Sequence, residues 1–271
     1  MVPKEYYGRL FTKEQLPVDY HSEAFTLESM IKVDKQLRCK RCYSQIEEDW
    51  QLPEGQYYCR ACIVFGRNQE GKELYYFPSK TSEIEFPVLK WLGELTPYQA
   101  EVSEKLLETY QKQKDSLVHA VTGAGKTEMI YKIVAYVLGN KGRVAIASPR
   151  VDVCRELFLR MQRDFTCSIS LLHAESEPYD GSPLVIATTH QLLKFYQNFD
   201  LVIVDEVDAF PFVGNVMLNH AVEQAKKETG RYIYLTATST ISLEEQVRLG
   251  TLEKHHLARR FHGNPLVLPK F

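Results

Sequence analysis

Little in this sequence pulls in one direction. Its 33 Lys and Arg nearly balance 35 Asp and Glu, for a net charge of −2, which excludes both a globally basic nucleic-acid coat and an acidic disordered tail. The stretches before and after residue 95 are each close to balance as well. A bound polyanion must therefore be held by local clusters and backbone amides, without long-range steering. No run approaches the roughly 18 uninterrupted apolar residues of a membrane helix, and the opening MVPKEYYGRL lacks the apolar block of a secretory signal. A cytoplasmic location is expected. Internal repeats and low-complexity runs are also missing, which removes disordered and collagen-like classes. With 44% apolar and 25% charged residues, the chain can bury a sizeable core, and its 271 residues suggest two domains.

The texture changes along the chain. Up to about residue 95 it offers short aromatic or β-prone pieces, Tyr57-Tyr58 and Leu74 to Phe77, and four cysteines in two close pairs. Pro, Gly and charged residues thicken between Gly66 and Pro97, as in a connector. Beyond it, apolar β-branched runs alternate with amphipathic segments. Strands are predicted at Ser116 to Val121, Arg143 to Ser148, Leu184 to Thr188, Leu201 to Asp205 and Arg231 to Thr236, and helices at Lys126 to Leu138, at Val151 to Phe165 and near Gln191. Continuous apolar strands separated by helices call for a parallel sheet covered on both faces, an α/β fold.

Cys39-Lys-Arg-Cys42 and Cys59-Arg-Ala-Cys62 form two CxxC knuckles. Each tight turn offers two thiolates to one metal, and two such turns complete a tetrahedral four-cysteine site for Zn2+. A pair of disulfides and a redox CxxC are the rival uses; without a secretory signal, two paired knuckles favour a structural ion. A small zinc ribbon folds largely on the energy of metal binding, because its core is meagre. Arg38, Lys40, Arg41 and Arg60, interleaved with Tyr43, Trp50, Tyr57 and Tyr58, have the residue types of a single-strand binding surface. The same aromatics equally suit the ribbon's own core, and Glu47-Glu48-Asp49 dilutes the charge. Cys154 and Cys167 stand singly in the α/β part and read as core or helix residues; His173, His255 and His256 lack the company of metal ligands.

His119-Ala-Val-Thr-Gly-Ala-Gly-Lys-Thr127 follows an apolar strand and opens an amphipathic helix, the context that a phosphate-binding loop demands. Ala120 occupies the position that is glycine in GxxxxGK[ST]; Gly125, Lys126 and Thr127 match, and Gly123 adds freedom. In this pattern the backbone from Thr122 through Gly123, Ala124 and Gly125 faces the phosphates, Lys126 neutralises them and Thr127 ligates Mg2+. Further on, the buried strand Leu201-Val-Ile-Val-Asp205 ends in Glu206-Val-Asp208. That delivers Asp205 to the magnesium shell and Glu206 to the attacking water. Lys126, Asp205 and Glu206 are thus the candidate catalytic set.

Together with Thr236-Ala-Thr238, these motifs resemble the first motor domain of superfamily 2 helicases, a RecA-like P-loop domain. That resemblance makes Gln99, in Leu95-Thr-Pro-Tyr-Gln99, the candidate adenine-reading residue. It makes Ser148-Pro-Arg150 and Ala187-Thr-Thr-His190 the candidate contacts to a nucleic-acid backbone through Arg150, Thr188 and Thr189. Helix capping or a plain surface position is the rival use of Arg150 and Thr189. Asp205-Glu-Val-Asp-Ala-Phe-Pro-Phe212, the upstream four-cysteine module and Ala258-Arg-Arg-Phe-His-Gly263 resemble the ComFA family of competence proteins. The resemblance implies an ATP-driven motor that binds single-stranded DNA and serves bacterial DNA uptake at the inner face of the membrane. Its implied partners are the uptake channel and ComFC. A PriA-like replication-restart helicase and a nucleotide-switched binding module are the alternatives.

The expected layout is an N-terminal extension (1–36), a zinc-ribbon-like four-cysteine module (37–66), a connector (67–95), a RecA-like ATP-binding lobe (96–240) and a segment (241–271) leading toward a second motor lobe. The chain ends at Phe271, too soon after Thr238 to hold that lobe. ATP binding with poor turnover is therefore expected of these residues alone, since an arginine from the far lobe typically contributes about 10³ to 10⁵ in rate.

Overall fold

The structure is a computed structural model and describes residues 1–121, 124–209, 211–212 and 214–257. The expectations placed on Thr122, Gly123 and the Ala258–Gly263 motif lie outside these residues.

In chain order the strands are β1 (Leu10–Thr12), β2 (Phe25–Glu28), β3 (Met30–Val33), β4 (Gln36–Cys39), β5 (Glu73–Tyr76), β6 (Asp115–Ala120), β7 (Val144–Ser148), β8 (Ile169–Leu172), β9 (Leu184–Thr188), β10 (Phe199–Asp205), β11 (Lys226–Thr236) and β12 (Leu252–Leu257). The α-helices are α1 (Pro97–Gln111), α2 (Lys126–Met129), α3 (Tyr131–Gly139), α4 (Val151–Asp164), α5 (Val216–Ala225) and α6 (Ile241–Arg248). The last seven strands form one sheet in the order β12-β6-β11-β10-β7-β9-β8, and every pairing in it is parallel.

Side chains alternate between the two faces of that sheet, so both must be covered. Leu117, Ala145, Ala147, Val185, Val202 and Val204 join the core on one side. Val118, Val144, Ile146, Ile186, Leu201 and Ile203 join the core on the other. α1, α3 and α4 supply the second core with Leu106, Ile133, Val134, Val137, Leu157 and Met161. α5 supplies the first with Leu218, Ala221, Val222 and Ala225, and that core is continuous with Met30, Ile46 and the four paired cysteines.

The predicted elements fall close to their places, and in the α/β part the structure adds β8, β12, α1, α5 and α6, which the sequence reading did not mark. The helix expected over 126–138 is divided at Ile130 into α2 and α3, and the one near Gln191 is a 3-10 helix, Thr189–Lys194. β12 arises beyond residue 240, where no strand was expected; Leu-Glu-Lys-His-His-Leu conceals it because an edge strand buries only Leu252, His255 and Leu257. Segments 1–36 and 67–95, expected as extension and connector, are joined: β5 lies between β1 and β2 in a three-stranded antiparallel sheet. Val2, Phe11, Leu16 and Phe77 form its own small core. The β3–β4 hairpin that ends in the first cysteine knuckle begins at Met30, upstream of the expected boundary.

Arg143, just before β7, ties the segment that precedes β9 to the sheet and adds one bond to Ser82 of the first part of the chain. It is buried, and its guanidinium donates to Ser82 Oγ (3.0 Å), Tyr179 Oη, Gly181 O (3.0 Å) and Ser182 O (2.7 Å). Removing a buried charge's partners, or the charge from its partners, leaves polar atoms stranded. Arg143→Met should therefore lower unfolding free energy by about 3 kcal/mol, read from the midpoint of a urea transition, and a loss below about 1 kcal/mol would show that these bonds contribute little to stability.

Candidate active site and metal centre

Strand register sets the site. Thr236 in β11 lies level with His119 in β6, and Asp205 in β10 lies level with Leu235 in β11. The loop after β6 and the acidic turn after β10 therefore leave the same edge of the sheet, two strand spacings or about 10 Å apart. Between them is a cavity of ≈ 620 Å³ whose walls include Gly125, Lys126, Thr127, Asp205, Gln99 and Trp91. Each described cofactor-binding and catalytic candidate except Ala124 and Glu206 lines it.

The loop is braced from behind. Thr96 caps α1 by accepting from Gln99 N, while Gln99 Oε1 accepts from Thr96 N (2.9 Å) and Thr96 Oγ1 (3.0 Å), a capping box with Pro97 in the first turn. The other end of the same amide, Gln99 Nε2, donates to Ala124 O at 2.8 Å. Most of the hydrogen-bonding capacity of Gln99 is thus spent on the cap and the loop, and adenine reading has one N–H left to use. Gly125 has φ +72°, and a Cβ there would lie 2.4 Å from Gln99 Nε2. Both the left-handed backbone and the close approach require glycine. Ala124 is buried behind the loop; its carbonyl accepts from Gln99 and its N–H donates to Val121 O at 3.1 Å.

Burial raises the pKa of the Asp205 carboxyl, and the nearby Lys126 ammonium pulls it back. Asp205 Oδ1 accepts from Glu206 N at 2.9 Å. Glu206 itself sits at φ +55°, an uncommon conformation for a side chain of its size. Its Oε1 is 3.8 Å from Arg150 Nη1, and its Oε2 is buried with no hydrogen-bond partner among the described residues. Asp208 accepts from Thr238 N (3.2 Å) and Thr238 Oγ1; against its burial, these bonds and one from Thr236 hold its carboxyl below the usual range. The acidic turn is therefore tied to the end of β11.

The backbone-contact candidates divide. Arg150 is exposed and pairs with Asp152 and Glu206. Thr188 is 8% exposed at the edge of a second cavity, whereas Thr189 is wholly buried. The Thr189 side chain cannot touch a ligand in this arrangement, because the 3-10 turn that begins there points it into the core.

Cys39, Cys42, Cys59 and Cys62 are fully buried, and their sulfurs all lie within 4.8 Å of one another. Cys39–Cys62 and Cys42–Cys59 are 3.7 and 3.5 Å apart, against about 3.8 Å for the edge of a tetrahedron with 2.3 Å metal–sulfur bonds. The separations are non-bonded, so neither is a disulfide. Asn68 Nδ2 donates to Cys39 Sγ (3.1 Å) and to Ser29 O (2.7 Å), the outer support expected around a metal-bound thiolate. Hydrogen bonds from the other cysteines and Asn68 pull the Cys39 thiol well below its ordinary value, while those to Cys39, Cys42 and Cys59 push Cys62 up. The four-cysteine cluster has the geometry and the chemistry to hold a metal ion. Of the cations around it, Arg41 is not available to a ligand: it is fully buried and donates to Phe65 O and Gly66 O. Trp50 and Tyr57 pack on the core, as the plainer reading had it. Arg60 pairs with Asp49, and Arg38 lies over Tyr43.

Two wall residues escape sequence reasoning. Trp91 comes from the supposed connector and meets the Tyr131 ring edge-on at 5.4 Å. Arg160, from α4, reaches the cavity paired to Glu128 at 3.2 Å. Neither belongs to a local pattern, and Trp91 is one of several aromatics in that stretch. Cys154 and Cys167 are unpaired thiols raised by burial to about 12 and about 11, consistent with inert packing.

The fold and this edge of the sheet define a helicase-type motor lobe. The DEAD/DEAH box helicase family profile matches residues 96–246, and the chain belongs to that family. It is 58% identical over 269 residues to competence protein ComFA of Streptococcus pneumoniae (strain ATCC BAA-255 / R6), covering 98% of this chain and 61% of that protein. Identity to ComFA of Bacillus subtilis (strain 168) is 34%, covering 96% and 58%. The chain thus spans about three fifths of the length of these two relatives. Replication restart protein PriA of B. subtilis (strain 168) is 23% identical over 65% of this chain and 24% of its own length. Among solved structures, the Pyrococcus furiosus Hef helicase domain superposes with a TM-score of 0.51 at 20% identity, covering 62% of this chain and 39% of that one. That likeness extends to the fold.

Asp205 permits a stability test with a defined sign. Its pKa is raised in the folded chain above the ordinary 3.8, so ionised Asp205 costs the folded state stability at neutral pH, and the cost vanishes as pH falls below the ordinary value. Asp205→Asn should raise Tm at pH 7 by on the order of 2–4 °C, with the gain shrinking toward pH 4 in a thermal melt series. A lower Tm at pH 7 would show that the carboxylate is stabilising.

Proposed function

We propose that this chain is the ATP-binding first motor lobe, with its metal module, of an ATP-dependent single-stranded-DNA translocase used in DNA uptake during bacterial competence. The observation that carries the nucleotide reading is the shared cavity: Gly125-Lys126-Thr127 from one strand end and Asp205 from another face the same 620 Å³. In this reading Lys126 meets the phosphate oxygens, and the Thr122–Gly125 backbone cradles them. The Thr127 hydroxyl and Asp205 carboxylate hold Mg2+, which when bound neutralises charge building on the phosphates. Glu206, next to Asp205 at the strand end, takes the attacking water in this reading, which requires its side chain to turn from Arg150 toward the cavity. Gln99 acts mainly by stiffening the loop and secondarily on adenine.

DNA uptake is supported by the identity to the two ComFA proteins. A single four-cysteine cluster placed ahead of the motor motifs sets the chain apart from the PriA-like alternative, in which cysteines fall between motor motifs. The natural occupant of the cluster is Zn2+, whose bond lengths match the sulfur spacing. Partners in this reading are single-stranded DNA, a ComFC-like protein, the uptake channel and a second RecA-like lobe. The working location is the cytoplasm, at the inner face of the membrane. No helix among the described residues is long and apolar enough to cross it.

Two measurements test this. Metal analysis should find one zinc per chain, and Cys59→Ser should abolish it along with part of the cooperative unfolding transition; full zinc content in that variant would remove the cluster from the account. ATP hydrolysis by these 271 residues should be slow and little stimulated by single-stranded DNA, rising by about 10³-fold or more when the chain is extended by the remaining length of its relatives. Brisk DNA-stimulated turnover by the present chain would contradict the need for a second lobe.

A further inference from the structure

A trough flanks the 3-10 turn Ile63–Phe65, which follows directly on Cys62, and is separate from the phosphate cavity. Cavities of ≈ 590 and ≈ 420 Å³ flank this turn and share Val64, Phe65 and Lys194 as walls. The larger opens toward Pro149, Thr188 and His190 at the carboxyl edge of the sheet. The smaller opens toward Arg9.

Two features of this trough are costly unless something fills it. Val64 is 81% exposed, yet the turn that presents it is held rigidly, because buried Arg41 donates to the carbonyls of Phe65 and Gly66. Val151, across the larger cavity, is exposed as well. Lys194 lies 5.5 Å from the Phe65 ring centroid and Arg9 lies 4.9 Å from that of Phe11. Among the described residues neither cation makes an ion pair. Burial, and for Lys194 the charge of Arg9, lowers the pKa of both, and the acid facing Arg9 in the smaller cavity is Glu5. Rigid apolar walls beside under-neutralised cations suit a ligand that carries both flat apolar faces and repeated negative charge.

We infer that this trough carries single-stranded nucleic acid, with phosphates against Lys194 and Arg9 and bases against Val64, Phe65 and Val151. The metal module then acts as the roof of the strand's path, and the cysteine cluster serves binding by fixing that roof. The inference deepens the single-strand reading above and rests on it. It also reassigns the module's contribution from Arg38, Lys40, Arg41 and Arg60 to its last turn.

The test is fluorescence anisotropy of a fluorescein-labelled oligo(dT) of ~20 nucleotides, about the span of one or two such binding folds, titrated with the chain at several salt concentrations. Lys194→Met keeps the buried stem and removes the charge; it should weaken binding roughly tenfold and make the log–log salt slope shallower by about 0.7. Val64→Glu, at an exposed position that folding does not need, should weaken binding at least as much. Zinc content and the affinity for a fluorescent ATP analogue should stay unchanged in both. Wild-type-like binding and salt slope in both variants, with loss in Arg150→Ala, would overturn the trough while leaving the single-strand reading intact. If Lys194→Met fails to fold, Val64→Glu alone decides. No binding of the oligonucleotide by the unchanged chain would overturn the single-strand reading and the trough with it.

Discussion

Parallel, in-register pairing of β6, β11 and β10 is the constraint from which the chemistry follows. Parallel strands emerge at one edge with their termini level, and here three consecutive ends carry the phosphate-loop turn, Thr236 and the Asp205–Asp208 turn. A slip of one residue in β10 would turn Asp205 to the opposite face of the sheet and bury the carboxylate away from Lys126. The apolar alternation that fills both cores fixes that register, because Val202 and Val204 belong to one core while Leu201 and Ile203 belong to the other. Packing and site geometry are the same requirement seen from two sides.

Around this frame the structure places braces rather than spare reactive groups. Gln99 connects a helix cap to the carbonyl of Ala124, so the start of α1 and the phosphate loop move together. Asp208 and Thr238 tie the acidic turn to the strand between the two motifs. On the other side of the sheet, α5 carries His220 and Gln224 to the carbonyls of Lys40 and Arg41 in the first cysteine knuckle, at 3.1 and 2.8 Å. The Tyr43 ring stacks on His220. α5 is the first helix after the acidic turn, so the cysteine knuckle rests directly on the element that follows Asp205–Asp208.

Much of this was legible in the sequence wherever chemistry follows from local pattern. The CxxC pairs, the Gly125-Lys126-Thr127 turn and the Val204-Asp205-Glu206 strand end each combine residue type, spacing and element context. The structure gathers the cysteines into one cluster and places Lys126, Thr127 and Asp205 on one cavity. What escaped depends on distant partners. Nothing local marks Trp91 or Arg160 as cavity walls, or Arg41 as a buried clamp; each is decided by what packs against it. β12 was hidden because its charged and histidine-rich centre shows no apolar run, and it sends Leu252 to one core and Leu257 to the other. Thr189 looked available because the turn Thr189–Lys194 was read without its direction, and that direction takes the hydroxyl into the core.

The central claim is that a nucleoside triphosphate with Mg2+ occupies the cavity between Lys126 and Asp205. Calorimetric titration of ATP with Mg2+ into the unchanged chain and into Lys126→Ala addresses it most directly. One binding site per chain, lost or weakened at least tenfold in the variant, is the expected result. Absence of binding to the unchanged chain, or equal affinity in the variant, would contradict it.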